Sequence, residues 1–424
     1  MTDQARAQPQ AAGVAARAAA LRLLDAVLRK GLPLESALDS AARGLERADD
    51  RALAHALAAE VLRRLPDLDA LIDGATAKPL PRDAKARMAL RIALAQALQL
   101  GTPPHAAIAT VLPLVDGGPR RLVHGVFGAL TRKSVTLPEL PTLPEGVAER
   151  WTDIWGADVV EAARRGIAAP PPLDLTLRET EGDWAARLDA ISLAPGHVRL
   201  PAGARVTELP GFADGAWWVQ DLSASLPARM IGRGSGRALD LCAAPGGKTM
   251  QLAAAGWDVT AVELSDARLK RVRENLARTK LRAKLVTGDA LTFSDTPYDA
   301  VLLDAPCSAT GIFRRHPDVL YRVRPRVIAT MAERQQAMLA RAASLVKSGG
   351  RLVYSVCSLE PEEGERVVET FLKSHSAFTA DPILADEIPD GIAPDPEGRL
   401  RVLPGVLADQ GGADGFFVAR FRRA

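Results

Sequence analysis

The sequence predicts a chain in two parts: an all-α bundle, then an α/β domain built on a parallel sheet with helices on both faces. Three observations predict this. Residues 11–133 carry apolar residues at helical steps of three and four. From Arg237 onward, short apolar runs alternate with amphipathic helical patterns, as βαβ units require. The length of 424 residues suffices for more than one core, and 47% apolar with 25% charged residues is the balance of a globular chain.

The helical elements follow in order. Val14, Ala18, Leu21, Leu24 and Leu28 share a face, and Gly31 follows as a stop. Leu53, Leu57 and Val61 repeat the pattern, as do Leu90, Leu94 and Leu98 before Gly101. Thr102 reads as the cap of a further helix with Pro103 in its first turn. Val123, Phe127 and Leu130 mark the last helix. Residues 1–135 hold 19 Lys+Arg against 13 Asp+Glu. That local excess fits RNA contact; it also fits an interaction bundle with solvated arginines, and both readings stand at this point. The whole chain carries only +3, so any nucleic-acid surface is a local patch. Aromatic residues at 4% leave little for a base-stacking platform.

Residues 136–146, TLPELPTLPEG, read as a Pro-rich linker. Residues 147–236 read as a small mixed α/β subdomain on the substrate side. It has a helix from Val147 to Gly166, a strand PLDLTLR and a turn-rich stretch to Gly215. The adjacent Trp217 and Trp218 read as one core and one rim residue. Residues 237–424 read as the α/β domain, expected to be the catalytic one, with strands in RALDLCAA, DVTAVEL, KLVTGD, YDAVLLDAP and GRLVYSVCS. Ligands in such sheets bind at the carboxyl ends of the strands.

Chemistry-bearing residues fall at those ends. The first strand runs into a Pro-Gly-Gly turn that lets backbone approach a ligand. It is no P-loop, because Cys242 stands where the first glycine of that motif belongs. Gly232, Gly234 and Gly236 precede the strand, so they are no dinucleotide fingerprint either. Lys248 is either an anion-binding group at the helix start or a solvated lysine. Glu263 ends the second strand, 16 positions after Gly247, where an acid can hold ribose hydroxyls. Arg268 follows it, and Asp289 ends the third strand. Acids on successive strand ends point to an adenosine-containing ligand. The fourth strand ends in Asp304, Pro306 and Cys307, and the fifth in Cys357. Two cysteines on adjacent strand ends beside such a pocket suggest a thiolate nucleophile.

The chain has three cysteines and no CxxC pair, which argues against a disulfide scaffold and a metal site. The opening MTDQARAQPQ lacks the apolar core of a signal peptide, and nowhere do about 20 uncharged apolar residues follow one another. A reducing, cytoplasmic protein without membrane contact is expected, and its even charge does not demand a dimer.

LDLCAAPGGKT, DAPCSATGIFRRHPDV and YSVCSLEPEEGE resemble the motifs of the RNA 5-methylcytosine methyltransferases of the RsmB/Fmu and Nop/Sun group. LPGVLADQGGADGFFVARFRR is similar to that family's C-terminal strand pair, and VQDLSAS to a stretch just before its catalytic domain. The helical half looks like the family's NusB-type domain, without a sharp motif. The resemblance implies a Rossmann-like class I methyltransferase sheet preceded by a NusB-like domain. It implies S-adenosylmethionine as cofactor, held by Cys242, Ala243, Ala244, Pro245, Gly246, Gly247 and Lys248, with Glu263 on the ribose and Asp289 on adenine. Many relatives carry Asp where this chain has Glu263. Asp304 would lie between cofactor and base, Cys357 would be the nucleophile, and Cys307 would help release product. The implied partner is RNA, small-subunit 16S rRNA first and tRNA second.

That chemistry suits these residues. Carbon 5 of cytosine is a poor nucleophile until a thiolate adds to carbon 6. A carboxyl at the N3 edge, here Asp304, favours the addition. The target base must leave its stack. Arg314, Arg315, His316, Arg322, Arg324 and Arg326 are expected to bind phosphate and position the base. The acidic run Glu360 to Glu365 is expected to be a helix N-terminal turn. Two other classes are weighed. A non-catalytic RNA-binding assembly factor does not need intact motifs, and an amino-methyltransferase needs an Asp/Asn-Pro-Pro-aromatic strand end that DAPC does not supply.

Overall fold

The computed structural model describes residues 13–180 and 182–424. The sequence opening at residues 1–12 lies outside the described residues, so the reading of that segment stands as an expectation. The chain forms two compact units. One comprises the described residues up to Ala168 together with His316–Arg322, and the other comprises the described residues of 169–315 and 323–424.

The first unit is all helix: Val14–Leu28, Leu34–Ala41, Ala48–Arg63, Leu65–Gly74, Lys85–Leu98, Pro104–Val111, Gly117–Arg132, Glu145–Trp155 and Ala157–Ile167. Its core is built from the predicted stripes, with Leu24, Leu57, Val61, Leu90, Leu94 and Phe127 packed together. Each such side chain contributes on the order of 1.5–3 kcal/mol by leaving water. The helix after Thr102 begins one residue later than expected, at Pro104 with Pro103 as its cap. The predicted helix Val147–Gly166 is two helices, because Gly156 at φ +89° ends the first and opens the second. The Pro-rich stretch is irregular but tied down. Arg64 donates to the carbonyls of Pro138 and Glu139, Arg164 donates to that of Pro141, and Asp67 accepts from the Thr142 N–H.

Some of this unit's basic residues do neither of the things expected of them. Arg91 makes a bidentate pair with Asp69 at 2.8 Å from both nitrogens, and Arg87 pairs with Asp69 at 3.0 Å and with Asp73. Both arginines are buried. They are internal struts, neither solvated nor free for RNA. Arg120, Arg121, Arg132 and Lys133 are exposed.

The second unit holds two sheets. Strands β1 (Leu173–Leu177), β2 (Ile191–Ala194), β3 (His197–Leu200) and β4 (Trp217–Val219) form an antiparallel sheet in the order β2-β3-β1-β4. The β2–β3 hairpin occupies part of the stretch expected to be turns. Its strands have four residues each, too short for their alternation to stand out. Trp217 and Trp218 are both buried, so neither is a rim residue. Their indole N–H groups donate to the Pro210 carbonyl and to Gln220.

The main sheet contains β5 (Arg237–Leu241), β6 (Asp258–Glu263), β7 (Lys284–Thr287), β8 (Tyr298–Asp304), β9 (Val346–Val356), β10 (Phe378–Ala380) and β12 (Phe416–Arg423) in the order β10-β12-β9-β8-β5-β6-β7; β11 (Leu400–Val402) pairs with β12 off this path. Strands β5 to β9 are parallel, while β12 runs antiparallel to β9. The sheet is therefore mixed, a Rossmann-like core with an antiparallel edge. Helices cover both faces: Pro325–Ser344 and Glu365–Ser374 pack on one, Leu222–Ile231 on the other. The strand order reverses between β5 and β8, the switch point at which such sheets open a crevice.

Candidate active site

The crevice is where the sequence placed its candidates. After β5 the chain turns through Cys242 at φ +64°, a cis Ala244-Pro245 bond and Gly246 at φ +101°, then enters the helix Gly247–Ala254. A Cβ on Gly246 would meet Val272 Cγ1 at 3.0 Å, so only glycine fits this turn without movement. The turn walls a cavity of about 350 Å³ lined by Cys242, Ala243, Ala244, Pro245, Gly247 and Lys248, with Asp240 and Asp304 on the strand ends. Trp218, Gln220, Asn275 and Arg278 close its other side.

Asp240 is a residue that sequence reasoning passed over. It is fully buried, and its Oδ2 accepts from Thr249 Oγ1 at 2.5 Å while Oδ1 has no partner. Burial pushes its carboxyl up to about 7, although the Thr249 hydroxyl and the nearby Lys248 act the other way. Its signal was present in LDLCAAPGGKT: a charged residue inside an apolar strand must have a reason.

Glu263 and Asp289 do not line that cavity. Glu263 is buried behind the turn, where Oε2 accepts from the Ala244 N–H at 3.3 Å and Oε1 from Ser265 N and Arg268 Nη1 at 3.1 and 3.2 Å. Asp289 is half-buried, and its Oδ1 accepts from the Leu291 N–H at 3.0 Å, leaving Oδ2 for another donor.

Asp304 joins two arms of the site. Its Oδ2 accepts from Lys248 Nζ at 2.7 Å and its Oδ1 from Ser355 Oγ at 2.8 Å. Lys248 is therefore neither a solvated lysine nor a free anion ligand. Three residues beyond Asp304, Cys307 meets Cys357 with the two sulfurs 3.5 Å apart. Both thiols are free and half-buried. The sulfur–sulfur hydrogen bond, burial and the adjoining charges of Cys357 and Glu363 hold the Cys307 thiol well above its ordinary range. Burial likewise pushes the Cys242 thiol up to about 12, with Asp304 and Glu263 adding to it. Neither is a ready thiolate.

Two expectations about flanking charges are overturned. Arg314 and Arg315 do not face outward. Both pair with Asp221 and Asp414, at 2.8 Å for the tightest contact, and Arg314 is buried. Acids far away in sequence claimed them. Arg322 pairs with Asp318 at 2.7 Å, and the His316 ring lies 4.0 Å from Glu35; Arg324 and Arg326 are exposed. The acidic run is not one helix turn either. The helix starts at Glu365, while Glu360 and Glu363 are buried ahead of it. Glu363 lies beside the loops that carry both cysteines, and nothing in the sequence distinguishes it from Glu362.

Among the described residues there is no cluster of His, Cys, Asp and Glu able to hold a metal ion, and no helix is long and apolar enough to cross a membrane.

Residues 233–422 match the family model described as 16S rRNA methyltransferase RsmB/F, and residues 14–121 match that of the NusB family. A ribosomal RNA small subunit methyltransferase B of Xylella fastidiosa strain Temecula1 is 37% identical over 432 residues, covering 96% of this chain and 98% of that protein. Its namesake in Escherichia coli O157:H7 is 34% identical, covering 95% and 97%. In fold, the crystal structure of PH0851 superposes with a TM-score of 0.75 at 21% identity, covering 98% of this chain and 99% of that one. NSun6 from Pyrococcus horikoshii, solved with SFG, gives 0.57 at 19% identity, covering 66% and 98%.

Proposed function

The chain belongs to the RsmB/F family of rRNA small-subunit methyltransferases, and from this premise we propose that it methylates carbon 5 of a cytosine in 16S rRNA, in the cytoplasm, through a covalent bond from Cys357. The observation that carries the reading is the pair of thiols 3.5 Å apart, one of them three residues beyond a carboxylate that also faces the glycine-turn cavity.

The cavity fits S-adenosylmethionine. Its glycine turn admits close backbone approach, and Asp240 on its wall has an unpartnered Oδ1 that a polar group of the ligand would satisfy. Cys242 to Lys248 would hold the methionine part. The resemblance assigns the ribose to Glu263, which here braces the Ala244 N–H from behind the turn, and the adenine amino group to Asp289, whose Oδ2 is open to a donor. When bound, S-adenosylmethionine supplies an electrophilic methyl group.

The chain's own residues do the rest. The resemblance of YSVCSLEPEEGE to the family motif makes Cys357 the nucleophile in this reading. Cys357 Sγ adds to carbon 6 of the extruded cytosine, and the electron pair moves toward carbon 5. Asp304 shares a proton at the N3 edge and is steadied there by Lys248 and Ser355. After methylation a base takes the carbon 5 proton, the electrons reform the double bond, and Cys357 leaves as thiolate. Cys307 assists this release. The Pro306-Cys307 pair also resembles the nucleophile motif of the related DNA enzymes, so the roles of the two thiols require a direct test.

Labelled methyl transfer from S-adenosylmethionine to unmodified small-subunit rRNA and to tRNA, run in parallel with bisulfite sequencing, tests the reading. A single labelled cytosine in rRNA is expected. Labelling of tRNA alone would replace the substrate, and labelling of neither while S-adenosylmethionine still binds would favour the assembly-factor reading. Cys307→Ser is expected to trap a covalent RNA adduct; an adduct in Cys357→Ser instead would exchange the two roles.

A further inference from the structure

Beneath the two cysteines lies a buried polar plug that the mechanism above does not use. Glu363 is fully buried, and both of its carboxylate oxygens are occupied. Oε1 accepts from the Ser308 N–H at 2.8 Å and from Gln335 Nε2 at 3.1 Å. Oε2 accepts from Ser308 Oγ and from Ser358 Oγ, the latter at 2.5 Å. Ser308 directly follows Cys307, and Ser358 directly follows Cys357. Gln335, on the helix Pro325–Ser344, also donates to the Pro306 carbonyl at 2.9 Å. One carboxylate therefore grips the residue after each thiol, and its helical partner grips the residue just before Cys307.

A buried acid is costly, and an apolar side chain could fill the same space with less desolvation. What an apolar side chain cannot do is fix two loops from different strand ends in one register. Residual freedom between the loops is limited further by Gly311 N–H to the Cys357 carbonyl at 3.0 Å and by Leu359 N–H to Thr310 Oγ1 at 3.0 Å. Glu363 touches neither a substrate nor a reacting atom, so its action is through the two serines.

We infer that Glu363 is a positioning residue that sets the separation of the Cys307 and Cys357 sulfurs. The inference rests on the two-thiol reading of the site. Phenylarsine oxide, which bridges two thiols in contact, reports that separation without any RNA. It is titrated into the full-length wild type, Glu363→Ala and Glu363→Gln, with peptide mapping of the bridge. Turnover on small-subunit rRNA is measured alongside.

The wild type is expected to take the bridge across Cys307 and Cys357. Glu363→Ala is expected to lose it, with kcat down by about 100-fold and KM for S-adenosylmethionine unchanged, the size of effect that misplacement by about 1 Å produces. Glu363→Gln is expected to restore the bridge and most of kcat, since its amide hydrogens can go to the two serine hydroxyls while its oxygen keeps accepting. Equal bridging and equal kcat in Glu363→Ala would overturn the inference. Should that variant fail to fold, Gln335→Leu decides, because Gln335 Oε1 is already without a partner and little is lost but the tie to Pro306 and Glu363. Weaker bridging and lower kcat are expected there, and wild-type values would overturn the inference. A bridge that depends on Glu363 in a protein unable to methylate RNA would sink the proposed function and leave the positioning role intact.

Discussion

The two arms of the site are built by opposite means. The arm from Cys242 to Lys248 is shaped by backbone: positive φ at Cys242 and Gly246, a cis proline and a glycine that no larger residue replaces without movement. The arm carrying Cys307 and Cys357 is shaped by side chains, with a carboxylate, two serines and a glutamine holding two loops together. A backbone cradle can enclose a ligand whose own shape completes it. Two thiols that must act in turn on one base need a separation that persists without ligand, and only fixed side-chain contacts provide that. Damage to the first arm is therefore expected in binding, and damage to the second in turnover.

The strongest way to break this division is Cys357→Ser. Turnover should fall by about 10⁴-fold or more, the scale seen when a nucleophile is removed, while calorimetry shows unchanged S-adenosylmethionine affinity. Weakened cofactor binding would show that the arms are not separate. Asp304→Asn comes next, because Asp304 touches both arms through Lys248 and Ser355. It should lower kcat by about 100-fold, within the usual range for a lost proton-transfer group, and raise KM for S-adenosylmethionine as well. Gly246→Ala should act on binding alone. A methyl group 3.0 Å from Val272 Cγ1 at φ +101° costs on the order of 1–3 kcal/mol, so affinity should fall by about 5- to 150-fold with kcat little changed at saturation.

The smallest effect concerns Asp240 and is read in stability. The folded chain keeps this proton up to about pH 7, whereas the unfolded chain releases it near the ordinary value of 3.8. Between those values the folded state binds more protons, so stability declines as pH rises through the window and is flat above it. Asp240→Asn should remove that slope. Its melting temperature should exceed the wild type's by a few degrees at pH 8 and match it at pH 4. A gain at both values would trace the effect to packing and not to the charge.

How far the sequence disclosed this site depends on what each residue had to meet. The five parallel strands were legible because strands buried on both faces read as continuous apolar runs, and the Gly246-Gly247 turn because glycine marks special backbone. Asp304, Cys307 and Cys357 were legible by position, as polar groups ending such runs. Arg314 and Arg315 were misread because their partners, Asp221 and Asp414, lie about 100 residues away on either side, and charge density along the chain cannot show neutralisation in space. Glu363 was hidden for a related reason: its meaning comes from Ser308 and Gln335, which no local spacing connects to it. The Gly156 break was visible and outvoted by helical periodicity on both sides.

The segment His316–Arg322 is encoded between the two cysteines yet belongs to the helical unit. There Tyr321 donates its hydroxyl to the Leu62 carbonyl at 2.8 Å and packs on the bundle core, and Asp318 accepts from the Leu34 N–H at 3.3 Å. Modularity is thus not written linearly in this polypeptide. A chain lacking residues 1–135 would leave Tyr321 without its Leu62 partner and Asp318 with Arg322 alone, so such a truncation reports on more than the loss of a bundle. Grafting this bundle onto another catalytic domain would require two insertions, the helices and this heptapeptide, and selection acting on either must carry the other along.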